Sequence, residues 1–157
     1  MSDVSIDLLR QMPIFGGLKT ETLEFLLDLS QEVLVAEGDY FFREHDKGNT
    51  VYVLESGLAQ VHRMRAGKPV VLRQLGEGDC FGEMALIDFL PRSASVMAET
   101  NCQAIEIPAK SLIQLCKKDV EQYAMIMMNL GREVSRRLRL AGDRLFELEE
   151  SLSEPID

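Results

Sequence analysis

Residues 49–65 read NTVYVLESGLAQVHRMR, and this stretch decides the fold class. Two runs rich in β-branched and aromatic residues meet at Gly57, a pattern typical of two strands joined by a tight turn. Similar runs recur through residues 31–107 at intervals of roughly 8 to 12 residues, which is the spacing of an antiparallel sandwich, barrel or jelly roll. Glycines punctuate these runs at Gly38, Gly48, Gly57, Gly67, Gly76 and Gly78. The sequence therefore predicts a mainly β, antiparallel roll.

Helical segments flank this β region on both sides. In residues 1–30, a Gly16–Gly17 turn precedes leucines at helical spacing, which predicts N-terminal helices. Residues 108–152 predict a short helix after Pro108 and then a long one from about residue 119, and residues 153–157 predict an acidic tail. A chain of 157 residues suits one domain, so we expect residues 1–157 to form a single α+β unit.

The long C-terminal helix carries apolar residues at alternating steps of four and three. We call this stripe the heptad seam: Val134, Leu138, Ala141, Leu145, Leu148 and Leu152. With Leu138 and Leu145 at the a positions, Arg144 and Glu149 would attract each other across a parallel pair of helices. The seam predicts a homodimer, and the alternative is that it packs on the chain's own roll. The spacing continues backwards through Val120, Ala124, Met127 and Gly131.

Composition and charge exclude several classes of protein. The net charge of −9 disfavours a nucleic-acid surface, which needs clustered basic residues. Five arginines between residues 132 and 144 are read as a solvated helix flank or as contacts to the rest of the domain. No stretch approaches the roughly 18 apolar residues of a membrane span, and no signal peptide is recognisable, so a cytoplasmic location is expected.

The residues needed for catalysis are missing from the pattern. His45 and His62 are the only histidines, and the three cysteines are widely spaced without a CxxC pair, so neither a metal centre nor a disulfide framework is predicted. Metal-dependent chemistry on a β-roll would need several histidines and a carboxylate. Ser93 and Ser95 have no nearby histidine in the sequence to activate them. We therefore expect a protein that is not an enzyme and has no metal.

Residues 81–96, FGEMALIDFLPRSASV, carry the binding chemistry. A turn at Gly82 followed by a short helix leaves backbone N–H groups without intrahelical acceptors, and such groups bind phosphate. Arg92 can hold two phosphate oxygens at once. Glu83 would be repelled by a phosphate, but it fits a ligand that also has a ribose hydroxyl. The structural alternative is that Glu83 caps the helix and Arg92 simply pairs with it.

The same stretch resembles the phosphate-binding cassette of cyclic nucleotide-binding domains, the family of the catabolite activator proteins and protein kinase A regulatory subunits. It matches from Phe81 to Leu86 and again from Pro91 to Val96. The segments PIFGGL, GDYFFRE and LGEGDCFGE also resemble the family's strand and turn signatures, in the expected order. The resemblance implies an eight-stranded β-roll (a double-stranded β-helix) with N-terminal helices and a long C-terminal helix.

The resemblance also implies a ligand and its contacts. Arg92 would bind the cyclic phosphate together with the backbone N–H groups of Ala85 and Ser93, and Glu83 would bind the ribose 2′-hydroxyl. The remaining implied contacts are Gly82, Met84 and the base-lining Val71 or Leu72. The ligand would be regulatory, and the similarity of the cassette to bacterial members favours cAMP over cGMP. Ser93 does not discriminate, since it occurs with either nucleotide. The C-terminal helix would act as a lid and move on binding.

Two other functions remain open at this point. The chain could be a degenerate member of the fold that serves only as a scaffold for protein contacts. It could also be a transcription regulator that lacks its DNA-binding domain. In every case the protein effector that would read the signal is unknown from the sequence.

Overall fold

Eight antiparallel strands form two four-stranded sheets in the computed structural model, which describes residues 3–153 and residue 155. The first sheet has the order β1-β8-β3-β6, and the second has the order β2-β7-β4-β5. The strands are β1 (Gln31–Val35), β2 (Tyr40–Phe42), β3 (Thr50–Ser56), β4 (Ala59–Arg65), β5 (Lys68–Leu75), β6 (Cys80–Phe81), β7 (Ser95–Ala98) and β8 (Cys102–Pro108). The predicted eight-stranded roll is confirmed.

The two sheets enclose an apolar core. Its buried members come from both sheets: Tyr52, Leu54, Ala59, Leu75, Phe81, Val96, Ala98, Cys102 and Ala104. Gly57 explains the tight turn between β3 and β4, because its φ of +92° is open to glycine and strained for other residues. A Cβ there would also lie 2.4 Å from the carbonyl oxygen of Asn101.

Within residues 3–153, five α-helices surround the roll, and a 3-10 turn at Pro13–Phe15 connects the first two. They are α1 (Asp3–Gln11), α2 (Thr20–Asp28), α3 (Met84–Asp88), α4 (Ala109–Lys118) and α5 (Val120–Ser153). The helices outside the cassette pack on the first sheet through a second core, which includes Leu9, Phe15, Leu23, Leu26, Ile105, Leu115, Ile126 and Leu130. In the described part of the chain, no helix has both the length and the apolar character needed to cross a membrane.

The first half of α5 is fixed to the N-terminal helices by polar side chains. The side-chain oxygen of Gln122 accepts hydrogen bonds from the Lys19 N–H and the Thr22 hydroxyl, both at 2.9 Å. Asn129 donates to the carbonyl oxygens of Ile14 and Gly16 at 3.2 and 2.9 Å. Because these bonds satisfy groups in the loop around the 3-10 turn, they tie α5 to the N-terminus as well as to the core.

The second half of α5 leaves the body of the protein. From Leu138 onward its side chains are exposed, and Leu138, Leu145 and Leu152 are 71%, 61% and 82% exposed. In the first half, the buried stripe is Gln122, Ile126 and Leu130. The backward continuation of the heptad through Val120 and Ala124 is therefore not the buried face of α5. Of the predicted acidic tail, residues 153–157, most lies outside the described residues.

Candidate functional site

A cavity of about 690 Å³ opens between the roll, the segment 81–96 and α5. Its apolar wall comes from the roll, where Phe42, Val61, Leu72, Leu75 and Phe81 line it. The opposite walls are charged and come from Glu83, Asp88 and Arg92 near α3, from Arg73 on β5, and from Arg136, Arg137 and Arg144 on α5. An apolar wall facing fixed charges suits a ligand with an aromatic part and an anionic part.

Arg92 lies at the inner end of this cavity and is only 6% exposed. Its Nη1 donates to the carbonyl oxygen of Gly82 at 2.9 Å, and its Nη2 donates to the carbonyl and hydroxyl oxygens of Thr50 at 3.0 Å. The guanidinium carbon lies 4.1 Å from the centre of the Phe42 ring, which is cation–π geometry. These contacts hold the guanidinium in one place.

No carboxylate of the described residues forms an ion pair with Arg92. Three of its five N–H donors are used, and its buried Nε has no hydrogen-bond partner. Burial lowers the pKa of Arg92, and Tyr52, Asp46 and Glu106 only partly oppose this. A buried cation without a counter-charge is costly unless an anion binds beside it.

Two glycines make room for the Arg92 side chain. A Cβ at Gly48 would lie 2.2 Å from its Nε, and a Cβ at Gly82 would lie 2.8 Å from its Nη1. Gly82 also has a φ of +84°, which other residues rarely adopt. The closeness of Gly48 to the guanidinium is a contact that sequence reasoning missed, because the two residues are 44 positions apart.

Glu83 is 3% exposed, and its carboxylate forms an ion pair with Arg137 of α5. Arg137 also donates from Nη2 to the carbonyl oxygen of Cys80 at 3.1 Å. Its Nε lies 3.2 Å from Glu133, although the N–H is not aligned for a hydrogen bond. Burial lowers the pKa of Arg137, and Arg73 acts in the same direction. The alternative in which Glu83 pairs with Arg92 is therefore not what the structure contains.

The other residues singled out in the sequence divide into two groups. Met84 and Ser93 line the cavity, and the Ser93 hydroxyl lies 3.8 Å from the Met84 sulfur. Ala85 follows Met84 in α3. Of the two β5 candidates, Leu72 lines the cavity, whereas Val71 is 54% exposed and lies outside the lining. Val71 pairs with His62, which alternates with the cavity-lining Val61 and so lies on the opposite face of β4. The pairing shifts register at this point, because Val61 pairs with Arg73, and Leu72 is the extra, unpaired residue between the two pairs.

The α5 wall of the cavity was not predicted residue by residue. Leu140 and Ala141 line it together with the three arginines. The sequence signal was the cluster of arginines, for which a solvated flank and contacts to the domain were both considered. Arg137 makes contacts to the domain, and Arg144 lies two turns further along the same helix face. No cluster of His, Cys, Asp or Glu able to hold a metal ion occurs among residues 3–153 and 155.

Comparison with known proteins gives consistent matches for sequence and fold. A family model described as the cyclic nucleotide-binding domain matches residues 32–119. The cyclic AMP receptor protein of Thermus thermophilus is 31% identical over 130 residues, which cover 82% of this chain and 58% of that protein. The cAMP-dependent protein kinase regulatory subunit of Emericella nidulans is 33% identical over 99 residues, which cover 63% of this chain and 24% of that protein.

A solved structure of a protein from the same organism also matches the fold. The crystal structure of the Thermus thermophilus catabolite activator protein superposes with a TM-score of 0.76 at 30% identity, covering 87% of this chain and 63% of that chain. This chain therefore spans less than two thirds of the length of each of the three matched proteins.

Proposed function

The chain belongs to the cyclic nucleotide-binding domain family, and we propose that residues 1–157 form a single-domain, non-catalytic receptor for a cyclic nucleotide, with cAMP preferred over cGMP. The observation that carries the proposal is Arg92, a buried guanidinium in an open cavity with no carboxylate partner among the described residues. A cyclic phosphate has one negative charge and two free oxygens, which suit the unused donors of one guanidinium. In a scaffold that bound only proteins, the charge of this buried cation would stay without a counter-charge, which is costly.

The cavity suggests how the nucleotide would lie. The phosphate would accept from Arg92 and from the backbone N–H groups of Ala85 and Ser93. The ribose 2′-hydroxyl would donate to Glu83, and the base would lie against Leu72 and the apolar wall. A carboxylate can accept about four hydrogen bonds. Arg137 and the ribose can therefore share Glu83, so the ion pair orients the carboxylate rather than blocking it.

The base preference is the finer part of the proposal. The two curated relatives described above are named for cAMP, and this supports adenine. Ser93 leaves guanine possible, because its hydroxyl could bond the 2-amino group of guanine. The three cysteines are all free thiols, which supports a cytoplasmic receptor because disulfides are rare in that compartment.

Calorimetric titration of the protein with cAMP and with cGMP tests the receptor. The protein must first be unfolded and refolded to remove any nucleotide that copurifies. We expect saturable binding of cAMP with one site per chain and weaker binding of cGMP. Absence of heat and of saturable binding with both nucleotides would refute the proposed function. Tighter binding of cGMP would reverse the base preference and leave the receptor function intact.

The ion pair between Glu83 and Arg137 supports a route from the ligand to α5. The first half of α5 is fixed by Gln122 and Asn129, whereas the second half is joined to the cassette through Arg137. A ligand shifts an equilibrium only between states that it binds differently. A nucleotide that draws Glu83 towards its ribose would favour one position of Arg137, and we propose that α5 moves over the base as a result.

We also propose that the receptor is a homodimer through the heptad seam. The seam leucines from Leu138 onward are exposed along one face of α5, and a stripe of this kind is usually buried by a partner helix. Leu138→Glu would place two carboxylates against each other in the seam and should convert the dimer to a monomer in light scattering. Leu34→Glu, which alters an exposed leucine on β1 that is 79% exposed, is the matched control. An unchanged mass for Leu138→Glu would exclude the seam as the dimer contact.

A further inference from the structure

The hairpin of β4 and β5 extends beyond the roll as a two-stranded ribbon. β7 pairs with β4 only as far as His62, and β5 is the edge strand of its sheet. All residues from 63 to 71 are exposed. We call residues 63–71 the basic ribbon, because Arg63, Arg65 and Lys68 lie in it and residues 59–75 contain no acid, although the chain has a net charge of −9.

The charges lie on one face of the basic ribbon. Arg65 and Lys68 are directly opposite each other, and Arg63 is opposite Val70. Arg63 has a partner in Glu44 at 3.1 Å, but neither Arg65 nor Lys68 forms an ion pair with any described residue. Like charges directly opposite each other destabilise a strand pair. This cost would be removed by a carboxylate bound between them.

This charged face is directed to the same side as the ligand cavity. Side chains alternate along a strand, so Arg63 and Arg65 share the face of Val61, which lines the cavity. Leu140, Ala141 and Arg144 of α5 line the same cavity. The basic ribbon and the exposed half of α5 are therefore neighbours along one side of the molecule.

The acidic group that fits lies on the far side of α5. Glu149 is nine residues from Leu140, which at 100° per residue is half a turn around the helix. It therefore points away from the basic ribbon of its own chain. Phe146, three residues before Glu149 on the same side, is 65% exposed and does not belong to the heptad seam. In a parallel helix pair, however, the e positions of one helix meet the g side of the other. In α5, Arg137 and Arg144 occupy the g positions, and both line the cavity. Glu149 of a partner helix would therefore lie on the cavity side of α5.

We propose that the basic ribbon binds the end of α5 of a second copy of this chain. Arg65 and Lys68 bind Glu149 of the partner subunit, and Val70 packs against Phe146 of the partner subunit. The inference rests on the proposed homodimer. The contact would place the partner helix close to the ligand cavity, because the strand that carries the basic ribbon, β5, also carries the cavity-lining Arg73.

Charge exchange between two variants tests the assignment. One variant is Arg65→Glu with Lys68→Glu, and the other is Glu149→Lys. Each variant alone has like charges at both contacts, so its dimer should dissociate at least about tenfold more readily than the wild type. In a mixture both contacts become attractive, and native mass spectrometry should show more than the statistical half of heterodimer. Glu147→Lys, on the side of α5 that faces its own roll, is the matched control and should give statistical mixing with the ribbon variant.

The possible outcomes distinguish the ribbon contact from the proposed homodimer and from the proposed receptor function. If the wild type is dimeric, statistical mixing together with an unchanged dissociation constant of the ribbon variant would overturn the ribbon contact alone. The dissociation constant of Glu149→Lys does not decide this, because that variant also repels Arg144 across the seam. A wild-type protein that is monomeric at every concentration would overturn the ribbon contact and the homodimer together. Nucleotide titration of the same samples reports the receptor function independently of both results.

Discussion

Arg92→Ala should lower the affinity for cAMP by about 30- to 1000-fold, which corresponds to roughly 2 to 4 kcal/mol. The variant removes the only buried cation that lies without a carboxylate at the inner end of the cavity, among the described residues. The phosphate would then lose both its counter-charge and its two-pronged donor. Arg92→Lys should recover only a minor part of the loss, because an ammonium cannot reproduce the planar fork. Calorimetric titration measures all three proteins.

A second variant tests the position of Arg92 without removing it. In Gly48→Ala, the new Cβ would lie 2.2 Å from Nε, so the guanidinium must move away from its site. We expect an affinity loss of roughly tenfold or more, comparable to losing a charged hydrogen bond. Gly76→Ala is the control, since its Cβ would meet only the Leu58 side chain at 3.9 Å. Binding of cAMP that is unaffected by Arg92→Ala would place the phosphate elsewhere.

Glu83→Ala should abolish the discrimination between cAMP and 2′-deoxy-cAMP. The wild type should prefer the ribose form by roughly 10- to 150-fold, the range expected for a hydrogen bond to a buried charged group. The variant should bind both nucleotides with nearly equal affinity. Both affinities will also fall, because Arg137 loses its partner. The ratio of the two dissociation constants is therefore the diagnostic quantity, since both ligands share that loss.

Asp88→Ala provides the comparison for Glu83. Asp88 is the other acid that lines the cavity, and it accepts a hydrogen bond from the Leu90 N–H at 2.9 Å. Its removal should leave the preference for the ribose form unchanged. A Glu83→Ala protein that still favours cAMP as strongly as the wild type would mean that the 2′-hydroxyl binds another group.

The roll could be predicted from the sequence because its signals are local. The strand runs of residues 31–107 and the glycines between them each depend on neighbours in the chain, as Gly57 with its left-handed backbone illustrates. The helix boundaries after Pro108 were predicted for the same reason. The identity of the cassette, by contrast, came from its resemblance to a family, since the charges Glu83 and Arg92 alone allowed two interpretations.

The surroundings of those two charges could not be predicted, because they depend on contacts between distant parts of the chain. Thr50 and Phe42 hold Arg92 from 42 and 50 positions away, and no periodicity links such residues. Arg137 reaches Glu83 only because α5 crosses the roll. The buried face of the first half of α5 could not be predicted either, because a polar residue, Gln122, lies at a core position and bonds Thr22.

The attachment of α5 along only part of its length has a mechanical consequence. The helix has 34 residues and so is about 51 Å long at 1.5 Å per residue. Beyond Arg137 an arm of about 24 Å extends to Ser153 with no other buried anchor among the described residues. A tilt of about 10° at Arg137 would displace the far end by about 4 Å. Under the proposed movement of α5, the helix would act as a lever, in which a small adjustment at Glu83 becomes a larger displacement at Ser153.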